Sequence, residues 1–404
     1  MLPVDEVAVP VADFLRSGSG RGRGGFFHVG QGVTGRWWLA DPAGAPFFLR
    51  GVHGVKPPQP SSDGALAPDS LALLRGWGFN AVGLPGDSAV GRDDGWPFIA
   101  SAELADAGRI IASGGVRLPD VFDPEWRDLV GDRAREVCAP QKDCRELIGW
   151  VSDAQLGWGP PAGDGRPSLL QVCLSLEPNF PAYHAAWEFA LALHAGRLDA
   201  LAQAWGVPLA NKEVVREMTR AERGLRTRAY LRDDARWARE FARRYFAITA
   251  AAIRAADPNH LLVGCRFPRA VGAAVLGVAV YPAVDVAMPH WTELPALGDK
   301  PAHPVIAGEV SWVGEEFLRP QSGARASRLT TVERMLRRAR LALDRVARHS
   351  AVVGYAWSRW EDERGERAPF GRGLVHADGS DATEHTELLT AFNARAAGLR
   401  PVSG

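Results

Sequence analysis

Cysteine is scarce and lysine equally so. The four cysteines, Cys138, Cys144, Cys173 and Cys265, are too few and too irregularly spaced for a disulfide framework or a zinc site. Reduced, mostly buried thiols are expected. Lysine occurs only at positions 56, 142, 212 and 300, and every other basic residue is arginine. That bias reads as composition and carries no ligand signal. Net charge is missing too: 47 Lys+Arg balance 47 Asp+Glu, which excludes a global positive field for nucleic acid or an anionic membrane surface. No apolar run approaches the roughly 20 residues that cross a bilayer. The first ten residues have neither the basic start nor the apolar core of a secretory signal, so a soluble, cytoplasmic chain is expected. The motifs G-x-x-x-x-G-K-[ST], H-E-x-x-H and G-x-S-x-G are absent, which argues against nucleotide hydrolysis, zinc proteolysis and serine-hydrolase chemistry. No metal and no cofactor are expected.

What is present is enough apolar residue for a large core, 46% of 404 positions. Residues 16–25, RSGSGRGRGG, read as a flexible segment. Gly20, Gly22 and Gly25 match G-x-G-x-x-G only formally, because no strand precedes them and no helix follows. Trp37 to Leu39, the turn signal Asp41-Pro42-Ala43-Gly44, and residues 47–52 read as a hairpin leading into a buried strand. Short apolar runs then alternate with helical patterns: 47–52, 79–84, 97–102, 147–152, 261–266, 284–289, 304–309 and 352–357. Continuous apolar strands separated by helices argue for an α/β fold with a parallel sheet covered on both faces, and the run count predicts closure into a (β/α)₈ TIM barrel. The expected layout is a flexible segment at 1–25, one barrel domain at 26–398 and a tail at 399–404. The gap between the fourth and fifth runs is too long for one crossover and predicts a helical insertion at about 160–257. Its stripe of Trp237, Phe241, Tyr245 and Ile248 marks a core-facing helix.

In such a fold the informative residues close each strand. Those ends offer Arg50 and His53, Leu84 to Asp87, Glu103, Asp153 and Gln155, Arg266, His290 and Trp291, Glu309 and Trp312, then Trp357, Arg359 and Trp360. Trp, His and Arg with one or two carboxylates suit a neutral polyhydroxylated ligand, since aromatic rings stack on sugar faces and polar groups bond hydroxyls.

Seven stretches carry a family resemblance: 38–55 (WLADPAGAPFFLRGVHGV), 73–82 (LLRGWGFNAV), 119–126 (PDVFDPEW), 147–159 (LIGWVSDAQLGWG), 253–267 (IRAADPNHLLVGCRF), 304–312 (PVIAGEVSW) and 353–375 (VGYAWSRWEDERGERAPFGRGLV). In order and spacing the chain resembles the β-agarase-like proteins of the clan A glycoside hydrolases, from about residue 26 to 396. The resemblance implies a (β/α)₈ barrel and retaining hydrolysis, with one Glu after the fourth strand as acid/base and one ending the seventh as nucleophile. Glu309 occupies the nucleophile position. Where the family reads Ser/Leu-Asp-Asn-Glu-Leu, this chain reads Ser152-Asp153-Ala154-Gln155-Leu156. Gln155 therefore replaces the acid/base, and Ala154 replaces an Asn that bonds the sugar near its 2-hydroxyl. A neutral amide cannot donate a proton as a general acid. The resemblance also implies that Trp357 is the aromatic platform beneath the sugar. His290 is a candidate for bonding a sugar hydroxyl or Glu309, and Arg50 for keeping Glu309 ionised. Trp158, Trp291, Trp312 and Arg359 are further candidate contacts.

Three readings stay open. The chain is a hydrolase for substrates whose leaving group needs no protonation, as the plant thioglucosidases of the same clan also carry Gln here. Alternatively another group, among Asp153, His184, His290, Glu315, Glu316 and Glu361, supplies the acid. Or the fold is a catalytically silent carbohydrate-binding protein. An agar substrate is not implied by the family label, and a soluble oligosaccharide or glycoside fits an expected intracellular chain better.

Overall fold

The computed structural model describes residues 14–56, 69–84, 95–154, 156–160, 163–267, 275–277, 283–297, 303–313, 330–367, 369–396 and 398–400. Its centre is a seven-stranded parallel sheet built from β4 (Leu49–Val52), β5 (Ala81–Val82), β6 (Phe98–Ser101), β9 (Leu147–Val151), β11 (Leu261–Gly264), β12 (Val305–Val310) and β13 (Val352–Trp357). The strand order is β11-β9-β6-β5-β4-β13-β12. Two three-stranded antiparallel sheets accompany it. One joins β1 (His28–Gln31), β2 (Trp37–Ala40) and β3 (Pro46–Phe47); the other joins β7 (Ile110–Ser113), β8 (Val116–Pro119) and β10 (Gly157–Trp158).

The expected closed eight-stranded TIM barrel is therefore corrected to an α/β fold with one seven-stranded parallel sheet and two antiparallel ones. The run that fails to form a strand is 284–289. Asp285 Oδ2 accepts the Leu262 N–H at 2.8 Å, so a side chain takes a donor that a neighbouring strand carbonyl would take. Pro289 has no N–H to offer. The segment contributes isolated parallel bridges, Arg266 to Met288, Ala287 to Val305 and His290 to Gly308, in place of a ladder.

The remaining elements follow their local signals. Gly44, at φ 81°, closes the turn after β2, and Asp41 Oδ1 accepts the Ala45 N–H at 2.8 Å. Helix α1 (Ser70–Gly76) is capped by Asp69, and α2 (Pro124–Cys138) starts with Pro124 behind the cap Asp123. Between β9 and β11 run α3 (Leu169–Leu174), α4 (Pro181–Ala192), α5 (Leu198–Trp205), α6 (Glu213–Arg220) and the long α7 (Arg228–Ala256). On α7 Trp237, Phe241 and Tyr245 are buried, and the stripe continues through Thr249 and Ile253 with Ile248 only partly covered. A capping box of Thr330 and Glu333 opens α8 (Thr331–Arg348), and α9 (Thr383–Ala396) closes the fold.

Residues 14–25 pack along β1, with bridges Leu15 to Gly32 and Arg21 to Val29, so their glycines serve turns in an anchored segment. Arg400, expected in a tail, is buried, and its guanidinium donates to the carbonyls of Trp37 and Ala347 at 2.9 Å.

Candidate active site

In a parallel sheet every C-terminal strand end lies along one edge, where ligands of α/β folds bind. Glu309 sits on that edge inside a β-bulge: Ala307 pairs with Tyr355 and Val310 with Trp357, so β12 carries one residue more than β13 across this interval. Glu309 adopts φ 57°, the left-handed region that a non-glycine residue occupies only when its surroundings hold it there. Gly308 permits the arrangement. A Cβ at this position would stand 2.9 Å from Met288 Cγ and 3.1 Å from the Pro289 carbonyl oxygen.

The cation beside Glu309 is Arg266. Its Nε and Nη2 both contact Glu309 Oε1. Burial raises the Glu309 pKa above its ordinary value, opposed by Arg266 and then by Arg359 and Arg372. The expectation that Arg50 fills this role is corrected. Arg50 lies mid-strand in β4, and its Nη1 donates to the Asn393 carbonyl on α9 at 2.9 Å. Arg359 reaches Glu363 at 2.6 Å and Glu366 at 3.2 Å while staying close enough to act on Glu309.

A second strand-end residue near this pair is His53. Its Nδ1 accepts the Leu84 N–H at 3.0 Å, which puts the ring proton on Nε2. That Nε2 is buried and has no hydrogen-bond partner among the described residues. Burial, reinforced by the neighbouring Arg266, pushes the His53 pKa well below the usual imidazole range. The close seat depends on Gly83, where a Cβ would fall 2.4 Å from Nδ1.

Asp153 points away from the open edge. Its Oδ1 accepts the Ala105 N–H at 2.7 Å, and its Oδ2 takes the Tyr245 hydroxyl. Burial is the largest cause that pushes this carboxyl up to about 7. In this structure Asp153, a candidate catalytic group from the sequence, forms a buried link between the β6 and β9 turns and α7. Gln155 lies outside the described residues, as do Glu315 and Glu316.

The tryptophans separate by burial. Trp357 and Trp312 are fully buried and meet edge to face at 4.5 Å. Trp357 Nε1 donates to the Arg372 carbonyl at 2.9 Å, and Trp312 Nε1 donates to His385 Nδ1 at 3.0 Å. Neither Trp357, the expected sugar platform, nor Trp312 presents an accessible face in this structure. Trp158 is likewise packed among Phe241, Tyr245, Phe246 and Phe267. Trp291 is buried at the start of the 3₁₀ helix Trp291–Leu297. His290 stays half-buried; its backbone bridges Gly308, and its Nδ1 lies 2.6 Å from Thr292 Oγ1. Glu361 pairs with Lys56 at 2.5 Å. His184 lies on α4, in a groove of about 1050 Å³ that contains none of these strand-end residues. Among the described residues no cluster of three His, Cys, Asp or Glu side chains could hold a metal, and no helix is long and apolar enough to cross a membrane.

Glu103, just beyond β6 at φ 48°, stands at a strand end without having been singled out. Arg266 lies just beyond β11. Of the four non-glycine residues with positive φ among those described, Ala195 and Glu222 follow helix ends, whereas Glu103 lies just beyond the parallel strand β6 and Glu309 within the last residues of the parallel strand β12.

No protein-family model matches the chain. Beta-agarase A of Vibrio sp. (strain JT0107) is 26% identical over 232 residues, 52% of this chain and 23% of that protein. The chain thus spans less than a quarter of that curated relative. Among solved structures, an exo-beta-agarase superposes with TM-score 0.67 at 18% identity, covering 96% of this chain and 66% of the other. The agarase AgWH50C gives 0.65 at 18% identity over 96% and 69%, and BpGH50 gives 0.65 at 18% over 97% and 86%. The chain is therefore similar to beta-agarases in sequence over half its length and in fold over nearly all of it.

Proposed function

We propose that this chain is a glycoside hydrolase of the retaining kind, acting on a glycoside or oligosaccharide, with Glu309 as nucleophile. The observation that carries the reading is Glu309 itself: a strand-end carboxylate, bulged and left-handed, half-buried among Arg266, Arg359 and Arg372. Burial strips such a carboxylate of water and raises its pKa, the three arginines oppose that rise, and a desolvated carboxylate paired with cations is suited to attack on an anomeric carbon. Similarity to proteins named as agarases supports a carbohydrate substrate. The buried His53 Nε2–H beside Arg266, without a partner among the described residues, is a donor that a ligand hydroxyl can satisfy. With Gln155 at the acid position, turnover depends on a good leaving group or on a proton from elsewhere.

A second reading, a silent carbohydrate-binding protein, draws on the Arg266 contacts to Glu309 and on the buried faces of Trp312 and Trp357. Intact-mass analysis after incubation with a panel of activated 2-deoxy-2-fluoro glycosides separates the two. A working nucleophile gives a covalent adduct that Glu309→Gln abolishes. No adduct from any sugar, alongside carbohydrate binding by calorimetry, decides for the silent protein.

A further inference from the structure

We infer that Glu103 is the proton donor and acceptor of this site, replacing from the neighbouring strand the group that Gln155 cannot provide. The inference rests on the retaining reading and adds to it a second carboxylate.

Strands β6 and β9 are adjacent in the sheet, with Ser101 in register with Val151. Beyond their ends the two turns stay bonded: the Ala102 N–H donates to the Val151 carbonyl at 2.9 Å and the Leu104 N–H to the Ser152 carbonyl at 3.1 Å. Glu103 stands between those two donors, and φ 48° turns its side chain out of the strand alternation. Its Oε1 accepts the Ser101 hydroxyl at 2.5 Å and the Ala154 N–H at 3.3 Å. The carboxyl thus rests against the backbone one residue before position 155. Among the described residues both of its hydrogen bonds fall on Oε1, so the proton to be transferred is assigned to Oε2.

The same edge connects Glu103 to the nucleophile. The Arg266 N–H donates to the Asp153 carbonyl at 3.1 Å, and the Arg266 side chain bonds Glu309. Adjacent residues 153 and 154 therefore touch both halves of the site. Asp153 cannot do this work, because its two oxygens face Ala105 and Tyr245 in the interior, while Glu103 is half-exposed.

The chemistry balances with these two groups alone. Glu309 Oε2 forms a bond to the anomeric carbon as the bond from that carbon to the leaving oxygen breaks, and the Glu103 proton moves to that oxygen. The products are a glycosyl ester on Glu309 and a free alcohol. Water then attacks the same carbon, the ester bond breaks, and the water proton returns to Glu103.

The test uses the full chain and the panel sugar that labels Glu309, as its 2,4-dinitrophenyl glycoside and as its methyl glycoside. Glu103→Gln, which keeps an oxygen to accept both hydrogen bonds, is expected to lower kcat/KM for the methyl glycoside about 10²–10⁴-fold. The same variant changes kcat/KM for the dinitrophenyl glycoside less than about tenfold, since that leaving group departs unprotonated. Azide restores kcat of Glu103→Ala on the dinitrophenyl glycoside and yields a glycosyl azide of retained configuration. Equal losses on both glycosides, or none on either, overturn the role of Glu103 while leaving a labelled Glu309 intact. If no panel sugar labels Glu309, the retaining reading and the role of Glu103 fall together.

Discussion

Two nitrogens of Arg266, Nε and Nη2, converge on one oxygen of Glu309, Oε1. Arginine and carboxylate commonly meet fork to fork, one nitrogen per oxygen. Here Oε2 forms no hydrogen bond among the described residues, so the carboxylate is both charge-paired and open on one side. A buried ion pair whose only purpose is structural gains by engaging both oxygens.

Removing the guanidinium tests that division. With Arg266→Met, burial acts on Glu309 without its strongest counter-charge, and the acidic limb of adduct formation moves to higher pH. Stability falls by about 3 kcal/mol, because a largely buried charge loses its partner. Adding Glu309→Leu recovers most of that loss in urea denaturation. An acidic limb that stays in place contradicts the assignment.

Asp153 gives a pH dependence whose sign is fixed. Its carboxyl is pushed up from 3.8 to about 7 in the folded chain. Between those values the unfolded chain has released its proton and the folded chain has not. Stability contributed by this group is therefore full at low pH, falls as pH rises through the window, and levels off above about 7. The slope from one such group is at most about 1.4 kcal/mol per pH unit. Asp153→Asn removes it, so its stability gains steadily on the parent chain from pH 5 to about 7 and the difference then levels off. Parallel curves count against the buried, protonated carboxyl.

Gly308 is the third point of leverage. Alanine there drives a Cβ to 2.9 Å from Met288 Cγ and 3.1 Å from a carbonyl oxygen. Overpacking of this kind costs about 1–3 kcal/mol. Gly308→Ala is expected to lower the urea midpoint, and Met288→Ala in the same chain to recover part of it by relieving the side-chain clash. A midpoint unchanged by Gly308→Ala shows that β12 and the 288–289 segment are not in the contact described.

The strand ends were legible in the sequence because apolar runs of parallel strands are continuous and stop where the chain meets solvent. Glu309, Arg266, His53 and Glu103 were all readable as members of that edge. Which way each points was not. Arg50 and Arg266 read alike in sequence, yet Arg50 sits within the β4 pleat and faces Asn393 on α9, whereas Arg266 lies beyond β11 and turns to Glu309. Trp357 ends an apolar run as a sugar platform would, but His385 on α9 and the Arg372 carbonyl, both distant in sequence, enclose it. The run at 284–289 has a strand's composition, and only the Asp285 side chain bonded to Leu262 reveals why no ladder forms.

The bulge in β12 makes the site a matter of parity. Side chains along a strand alternate between two faces, so one residue more or fewer exchanges every face beyond it. The extra residue between Ala307 and Val310 is what lets Val310 return to the interior while Glu309 is presented at the edge. Deleting Gly308 would remove no side chain from the strand and leave the apolar residues before it unchanged. It would nonetheless invert the orientation of all that follows, so the carboxylate is specified by counting as much as by chemistry.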